Sequence, residues 1–178
     1  MIRPLLQNIV ARDEYLYTAV QKIHSPLHTK LMKLITMLGS PLSLFLVSLA
    51  RVAFMRYRQT ISSALVLSFA MGAGLAVSLS LKSITKRARP EYTWVQLTTM
   101  SFPSGHAMIS AIFFSFLIRI GPWHITTLRW DSLFVTACCL AILLIGGSRI
   151  YLQVHRLSDV VGGIMIGIIL LEVVKRLL

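Results

Sequence analysis

The sequence has 178 residues, 56% of them hydrophobic and 13% charged, with a mean hydropathy of +0.74, which is far more apolar than a soluble domain of this length needs. Eighteen Lys and Arg against six Asp and Glu give a formal charge of +12, which in so apolar a chain points to anionic lipid headgroups. The basic residues lie between apolar runs and no nucleic-acid-binding motif accompanies them, which argues against DNA or RNA as a partner.

A spanning helix takes roughly 20 apolar residues, so a single domain over 1–178 has room for about five spans with short connections. In chain order, residues 1–26 mix apolar residues with Arg3, Arg12, Asp13, Glu14 and Lys22 at helical intervals, the pattern of an amphipathic helix in the membrane interface closed by Pro26. No uninterrupted apolar stretch with a small-residue cleavage site is present there, so a removable signal peptide is not expected. A first span is predicted over 28–50, kinked at Pro41, with Lys30 and Lys33 snorkelling at its start. A second covers 61–81, where Gly72 and Gly74 permit close helix approach.

Residues 82–102 form a polar, basic surface loop with Tyr92 and Trp94 as interfacial anchors and Arg89 extended before Pro90. Pro103 opens a third span in its first helical turn, and Gly121-Pro122 ends it near Ile120. A short fourth span covers 132–147, with Cys138 and Cys139 as small packing residues, and a fifth covers 155–174 before Lys175 and Arg176. The fold class expected is all-α: a polytopic transmembrane helical bundle.

Counting crossings places three polar clusters on one membrane face: Lys82 with Arg89; Ser104, Gly105 and His106; and Ser148, Arg149, His155 and Asp159. Ionisable groups at helix ends within an apolar bundle are costly, so a functional site is the default reading. Lys82, Arg89 and Arg149 supply cationic donors, while the Ser104 hydroxyl and the free N–H groups at the start of the third span add an anion-binding helix terminus. Together they read as a phosphate cradle.

The four-residue spacing puts His155 and Asp159 on one face of a helix, where the carboxylate accepts a hydrogen bond from one ring nitrogen and leaves the other nucleophilic. His106 is a second titrating group, placed to protonate a leaving alkoxide. Without a carboxylate cluster or a Cys/His ligand set, no metal or other cofactor is expected.

At these residues the chain resembles the type 2 phosphatidic acid phosphatase (PAP2) family, which shares its site with bacterial acid phosphatases and vanadium haloperoxidases. Lys82 to Pro90 fits its Lys, six residues, Arg-Pro motif; Pro103 to His106 is Pro-Ser-Gly-His; Ser148 to Asp159 is Ser-Arg, five residues, His, three residues, Asp. The resemblance implies a PAP2/haloperoxidase-like core, His155 as nucleophile, Asp159 as its partner, His106 as general acid, and phosphate binding by Lys82, Arg89, Ser104, Gly105 and Arg149. It extends to Thr36, Gly39 and Ser40, a TxxGS stretch seen in small members of the family. Many membrane members carry six spans, whereas here the N-terminal segment reads as interfacial.

Taken singly, each cluster has a bland reading: Lys82, Lys86, Arg87 and Arg89 as the positive flank of a span, His155 as a capping residue, Ser104-Gly105 as a helix cap. Together these readings need three unrelated coincidences on one face, so the catalytic reading prevails. His24, His28 and His124 are read as interfacial, and Lys86, Arg87 and Arg156 either as headgroup contacts or as topology charges.

The function that follows is a lipid phosphatase with a phosphohistidine intermediate, its partners the bilayer and a phosphorylated lipid. Undecaprenyl pyrophosphate is the first substrate considered, ahead of phosphatidylglycerophosphate, phosphatidic acid and lipid A phosphates. A phosphotransferase, or a lipid-binding or transport protein without turnover, are the alternatives. Setting aside Lys82, Arg89 and Arg149, the basic residues divide eight to seven between the two faces, so orientation rests on the resemblance, which implies a site facing outward from a bacterial inner membrane. The sequence leaves the oligomeric state open.

Overall fold

Helix boundaries in this chain are written by small polar residues and prolines. Ser25 adopts an extended conformation and its hydroxyl accepts from the His28 N–H at 3.3 Å, while Pro26 occupies the first helical turn; this is an N-cap, so Pro26 starts a helix as well as closing the preceding stretch. The helix it starts stops at Gly39, whose N–H reaches back to the Ile35 carbonyl. Ser40 then caps the next one by accepting from the Ser43 N–H at 3.1 Å.

The computed structural model describes residues 2–54, 60–90, 93, 95, 98–120 and 128–177. Among them lie α1 (Ile2–Lys22), α2 (Pro26–Leu38), α3 (Pro41–Phe54), α4 (Thr60–Thr85), α5 (Gly105–Ile120), α6 (Leu128–Tyr151) and α7 (Leu157–Leu177). Tyr92, Trp94, Gly121, Pro122 and His124, to which the sequence assigned roles, are outside the described residues.

The first span is thus two helices meeting at 44°, with Pro41 in the first turn of α3 instead of inside a bent helix. The tight approach of α6 supports the break, because a Cβ on Gly39 would lie 2.5 Å from the Ile145 side chain. Leu65–Thr85, Asp131–Tyr151 and Leu157–Leu177 are long and apolar enough to cross a bilayer, and α2 with α3 makes a fourth crossing if counted as one span.

The fifth expected span, α5, has 16 residues, or about 24 Å at 1.5 Å per residue. It is the central helix, packed against α3, α4, α6 and α7, with Ala107, Met108, Ala111 and Ile112 at 0% exposure. Neighbouring helices bury its residues 107–113, and a helix enclosed by protein over that stretch need not match the hydrocarbon thickness. Outward-facing Phe69, Leu79, Leu143, Met165 and Ile169 give the bundle its apolar periphery.

Two glycines bring α7 onto α5: a Cβ on Gly163 would stand 2.6 Å from the Ser104 carbonyl oxygen, and one on Gly167 2.5 Å from that of Met108. This is the small-residue spacing that lets membrane helices touch backbone to backbone. In α4 a Cβ on Gly74 would stand 2.6 Å from the Ile112 side chain, so that glycine makes room for a side chain of α5, but a Cβ on Gly72 would meet nothing within 4 Å. Likewise Cys138 packs inside while Cys139 faces outward.

Four boundaries differ from the hydropathy reading. α4 runs on to Thr85 and so carries Lys82 in its last turn. Pro103 follows a cis peptide bond and precedes α5 instead of sitting in its first turn. α6 extends from Leu128 to Tyr151, well beyond 132–147, and α7 begins at Leu157, after His155. Polar residues end an apolar run in sequence, yet a helix continues through them where protein lines its end. The α1–α2 connection is tied to α6 by His24 stacked on Tyr151, with ring centroids 5.5 Å apart.

Candidate active site

The end of α4, the following loop, the start of α5, the end of α6 and the turn into α7 meet at one end of the bundle. Lys82 donates to the Met100 carbonyl at 2.7 Å. Arg89 straps the same strand of loop, donating to the Thr99 carbonyl at 2.6 Å and to its hydroxyl at 2.9 Å, and reaches across to the Val154 carbonyl at 2.6 Å. Burial lowers the Arg89 pKa from its ordinary value, against the pull of Asp159.

Arg149, buried in the last turn of α6, donates through Nη1 to the Thr36 hydroxyl at 2.7 Å. Its Nε and the Ser104 hydroxyl are buried without a hydrogen-bond partner. Ser104 caps α5, its carbonyl accepting from the Met108 N–H at 3.0 Å while its own N–H donates to the Asp159 carbonyl at 3.0 Å. Gly105 is the first residue of α5, whose first-turn N–H groups have no intrahelical acceptor. Half-buried His106 follows, exposed to the electrostatic influence of Arg149, His155, Arg89 and Lys82. Ser148 Oγ donates back to the Ile145 carbonyl at 2.7 Å and so belongs to the helix end.

His155 does not sit on a helix with Asp159. It lies in the turn leaving α6, where Gln153 takes a left-handed φ of 54° and the N–H groups of Val154 and His155 both donate to the Arg149 carbonyl, at 3.2 and 3.3 Å. Asp159 stands in the first turn of α7 and reaches back to the Arg156 N–H at 2.9 Å, as the third residue of a capping box does. The Nδ1 of His155 is 3.8 Å from Asp159 Oδ2, beyond hydrogen-bond length, and Nε2 is 3.4 Å from Arg89 Nη1. The helical i to i+4 hydrogen bond expected from the spacing is therefore replaced by a longer approach across a capping turn.

Asp159 has other partners: Ser101 Oγ donates to Oδ2, and Arg87 Nη1 to Oδ1 at 2.6 Å. His155 is 4% exposed, and burial, with the charges of Arg89 and Arg149 and opposed by Asp159, lowers its pKa from 6.5 to about 4. The imidazole is thus neutral at neutral pH, with a lone pair available.

The three basic residues left undecided by sequence each have a place. Lys86 turns the chain out of α4 with φ 46°, Arg87 pairs with both Asp13 and Asp159, and Arg156 donates to the Ala88 carbonyl at 2.8 Å. Sequence reasoning missed Ser101, Asp13 and Ser158, and had Thr36 only as part of a family stretch. Asp13 is one of six acids in the chain, but beside Arg12 and Glu14 it reads as part of the polar face of an interfacial helix, and its burial shows only in the fold. Among the described residues no three His, Cys, Asp or Glu side chains gather as a metal site would require.

Residues 63–178 match the profile of the PAP2 superfamily. Over 171 residues the chain is 31% identical to phosphatidylglycerophosphatase B of Bacillus subtilis (strain 168), an alignment covering 94% of this chain and 83% of that protein. The fold superposes with a TM-score of 0.83 on the crystal structure of the first transmembrane PAP2 type phosphatidylglycerolphosphate phosphatase from Bacillus subtilis, at 27% identity over 96% of this chain and 86% of that one. Aquifex aeolicus LpxE, at 24% identity, shares the fold with a TM-score of 0.73 over 91% of this chain and 93% of its own.

Proposed function

The chain belongs to the PAP2 superfamily, and on that premise we propose that it is a metal-independent phosphatase of a membrane lipid working through a phosphohistidine. The observation carrying this reading is the pair of buried, unpartnered donors, Ser104 Oγ and Arg149 Nε, at the same bundle end as a neutral His155. A phosphate with its bridging oxygen toward His106 accepts from these donors, from the first-turn N–H groups of α5, and from Lys82 and Arg89.

His155 Nε2 attacks phosphorus, the bond from phosphorus to the lipid oxygen breaks, and His106 gives that oxygen a proton. The imidazole gains positive charge as the P–N bond forms, and Asp159 offsets it through space. Water then attacks the phosphohistidine, His106 takes its proton, the P–N bond breaks and inorganic phosphate leaves. Three cations stabilise the equatorial oxygens, which is the work a metal does elsewhere.

The Bacillus subtilis relative directs the first assay to phosphatidylglycerophosphate, ahead of undecaprenyl pyrophosphate, which sequence alone placed first. The site is proposed to face outward from a bacterial inner membrane. Phosphate release from both lipids in detergent, with and without EDTA, tests the reading. Turnover that survives EDTA, with an acid-labile phosphoenzyme absent from His155→Ala, is expected. A strict metal requirement, or a phosphoenzyme that persists in His155→Ala, refutes it.

A further inference from the structure

We infer that Asp13 on α1 is a positioning residue for the nucleophile, acting through Arg87 on Asp159; this rests on the reading of His155 and Asp159 given above. Among the α1 residues whose burial is described, Asp13 alone is fully buried, at 4% exposure, while Val10 is 61% and Tyr15 73% exposed and Val20 packs partly buried against the end of α6. A carboxylate is stable in such a place only when its charge and lone pairs are met. Both are. Oδ1 accepts from the Ser158 N–H at 3.0 Å, in the first turn of α7 where no intrahelical acceptor exists. Oδ2 accepts from Ser158 Oγ at 2.5 Å and from Arg87 Nη2 at 2.9 Å.

Arg87 is the link. One arm of its guanidinium, Nη2, holds Asp13; the other, Nη1, donates to Asp159 Oδ1 at 2.6 Å and to Ser158 Oγ at 2.7 Å. The plane of the group is set by two carboxylates from different helices, and that plane sets Oδ1 of Asp159. The other oxygen, Oδ2, is held by Ser101 and Arg156 and faces His155. Charge follows the same path. Two carboxylates share one cation, which leaves a net negative charge behind the imidazole as it becomes cationic on phosphorylation. With Asp13 neutral, Arg87 cancels Asp159, and the developing imidazolium loses that support. α1 therefore contributes to turnover without touching phosphate.

The test uses the full chain in detergent with phosphatidylglycerophosphate in mixed micelles. Asp13→Asn, which keeps the shape and removes the charge, is expected to lower kcat roughly tenfold to a hundredfold, the range seen for carboxylates behind metal-bound histidines, with KM within about twofold. Arg87→Gln should lower kcat as well, and the double variant should be no slower than Arg87→Gln alone, because partners in one network are not additive. Arg87→Lys keeps the charge and loses the two-armed bridge, so it tests the same link if Asp13→Asn does not fold. Wild-type kcat in Asp13→Asn or Arg87→Lys, an effect confined to KM, or losses that multiply in the double variant each overturn the inference. His155→Ala runs beside them. Turnover there refutes the underlying site, whereas an inactive His155→Ala with a fully active Asp13→Asn refutes only the role of α1.

Discussion

Thr36→Val removes the hydroxyl that accepts from Arg149 Nη1 at 2.7 Å and keeps nearly the same volume. Both residues are buried, Thr36 at 7% and Arg149 at 4% exposure, so the guanidinium arm has no water to turn to. A hydrogen bond to a charged group contributes about 1.5 to 3 kcal/mol, and about 1.4 kcal/mol is a factor of ten, which gives a loss of about tenfold to a hundredfold in kcat/KM. The loss should appear in kcat/KM because an arm released from Thr36 no longer aims Nε at the phosphate. The assay is phosphate release in detergent, alongside the thermal midpoint. Ser43→Ala is the control: Ser43 Oγ donates to the Met37 and Leu38 carbonyls at the same helix break without meeting Arg149. It should lower the midpoint and leave kcat/KM near wild type. A Thr36→Val enzyme within twofold of wild type in kcat/KM would refute the reasoning, as would Ser43→Ala losing activity to the same extent.

His155→Ala should abolish turnover for every substrate, whereas His106→Ala should lose roughly 10² to 10⁴ in rate on a lipid monoester and much less on p-nitrophenyl phosphate, whose leaving group needs no proton. Rescue of His155→Ala by that leaving group would reverse the two assignments. With the His155 pKa lowered to about 4, kcat/KM should hold on acidification through pH 6.5 and fall only near pH 4; an acid limb near 6.5 would contradict the burial argument. The stability sign is the same, since the unfolded imidazole binds a proton below 6.5 that the folded one refuses until about 4, so stability is lost as pH falls through that window, as denaturation midpoints would record. Cysteines placed at Thr98 and Lys175 in a chain with Cys138 and Cys139 replaced by Ala should label from opposite sides of the membrane, and labelling from one side would rule out the bundle's placement across it.

Motif residues were legible because their chemistry is unusual for an apolar chain: Lys82, Arg89, Ser104, His106, Arg149, His155 and Asp159 are polar where lipid permits little polarity. Their convergence followed from counting crossings, which needs only the number of helices between clusters. The geometry around His155 was not legible, since spacing of four reads as a helical face, and nothing local announces that Gln153 turns left-handed to end α6 first. Thr36, Ser101 and Asp13 escaped for another reason. Each is an ordinary residue in its own neighbourhood, and its role comes from partners 113, 58 and 74 positions away in sequence.

Gly163 has no functional group, yet it sets the gauge of the site. Its missing methyl lets the carbonyl of Ser104 lie where a Cβ would stand 2.6 Å away, so the helix bearing His106 and the helix bearing Asp159 meet as bare backbone. Side chains at a joint can change rotamer and absorb a shift, but two main chains in contact cannot. The spacing between the two banks of the site is consequently set by contact of main chain with main chain. One added carbon atom would wedge those banks apart, altering a reaction through a position that takes no part in it.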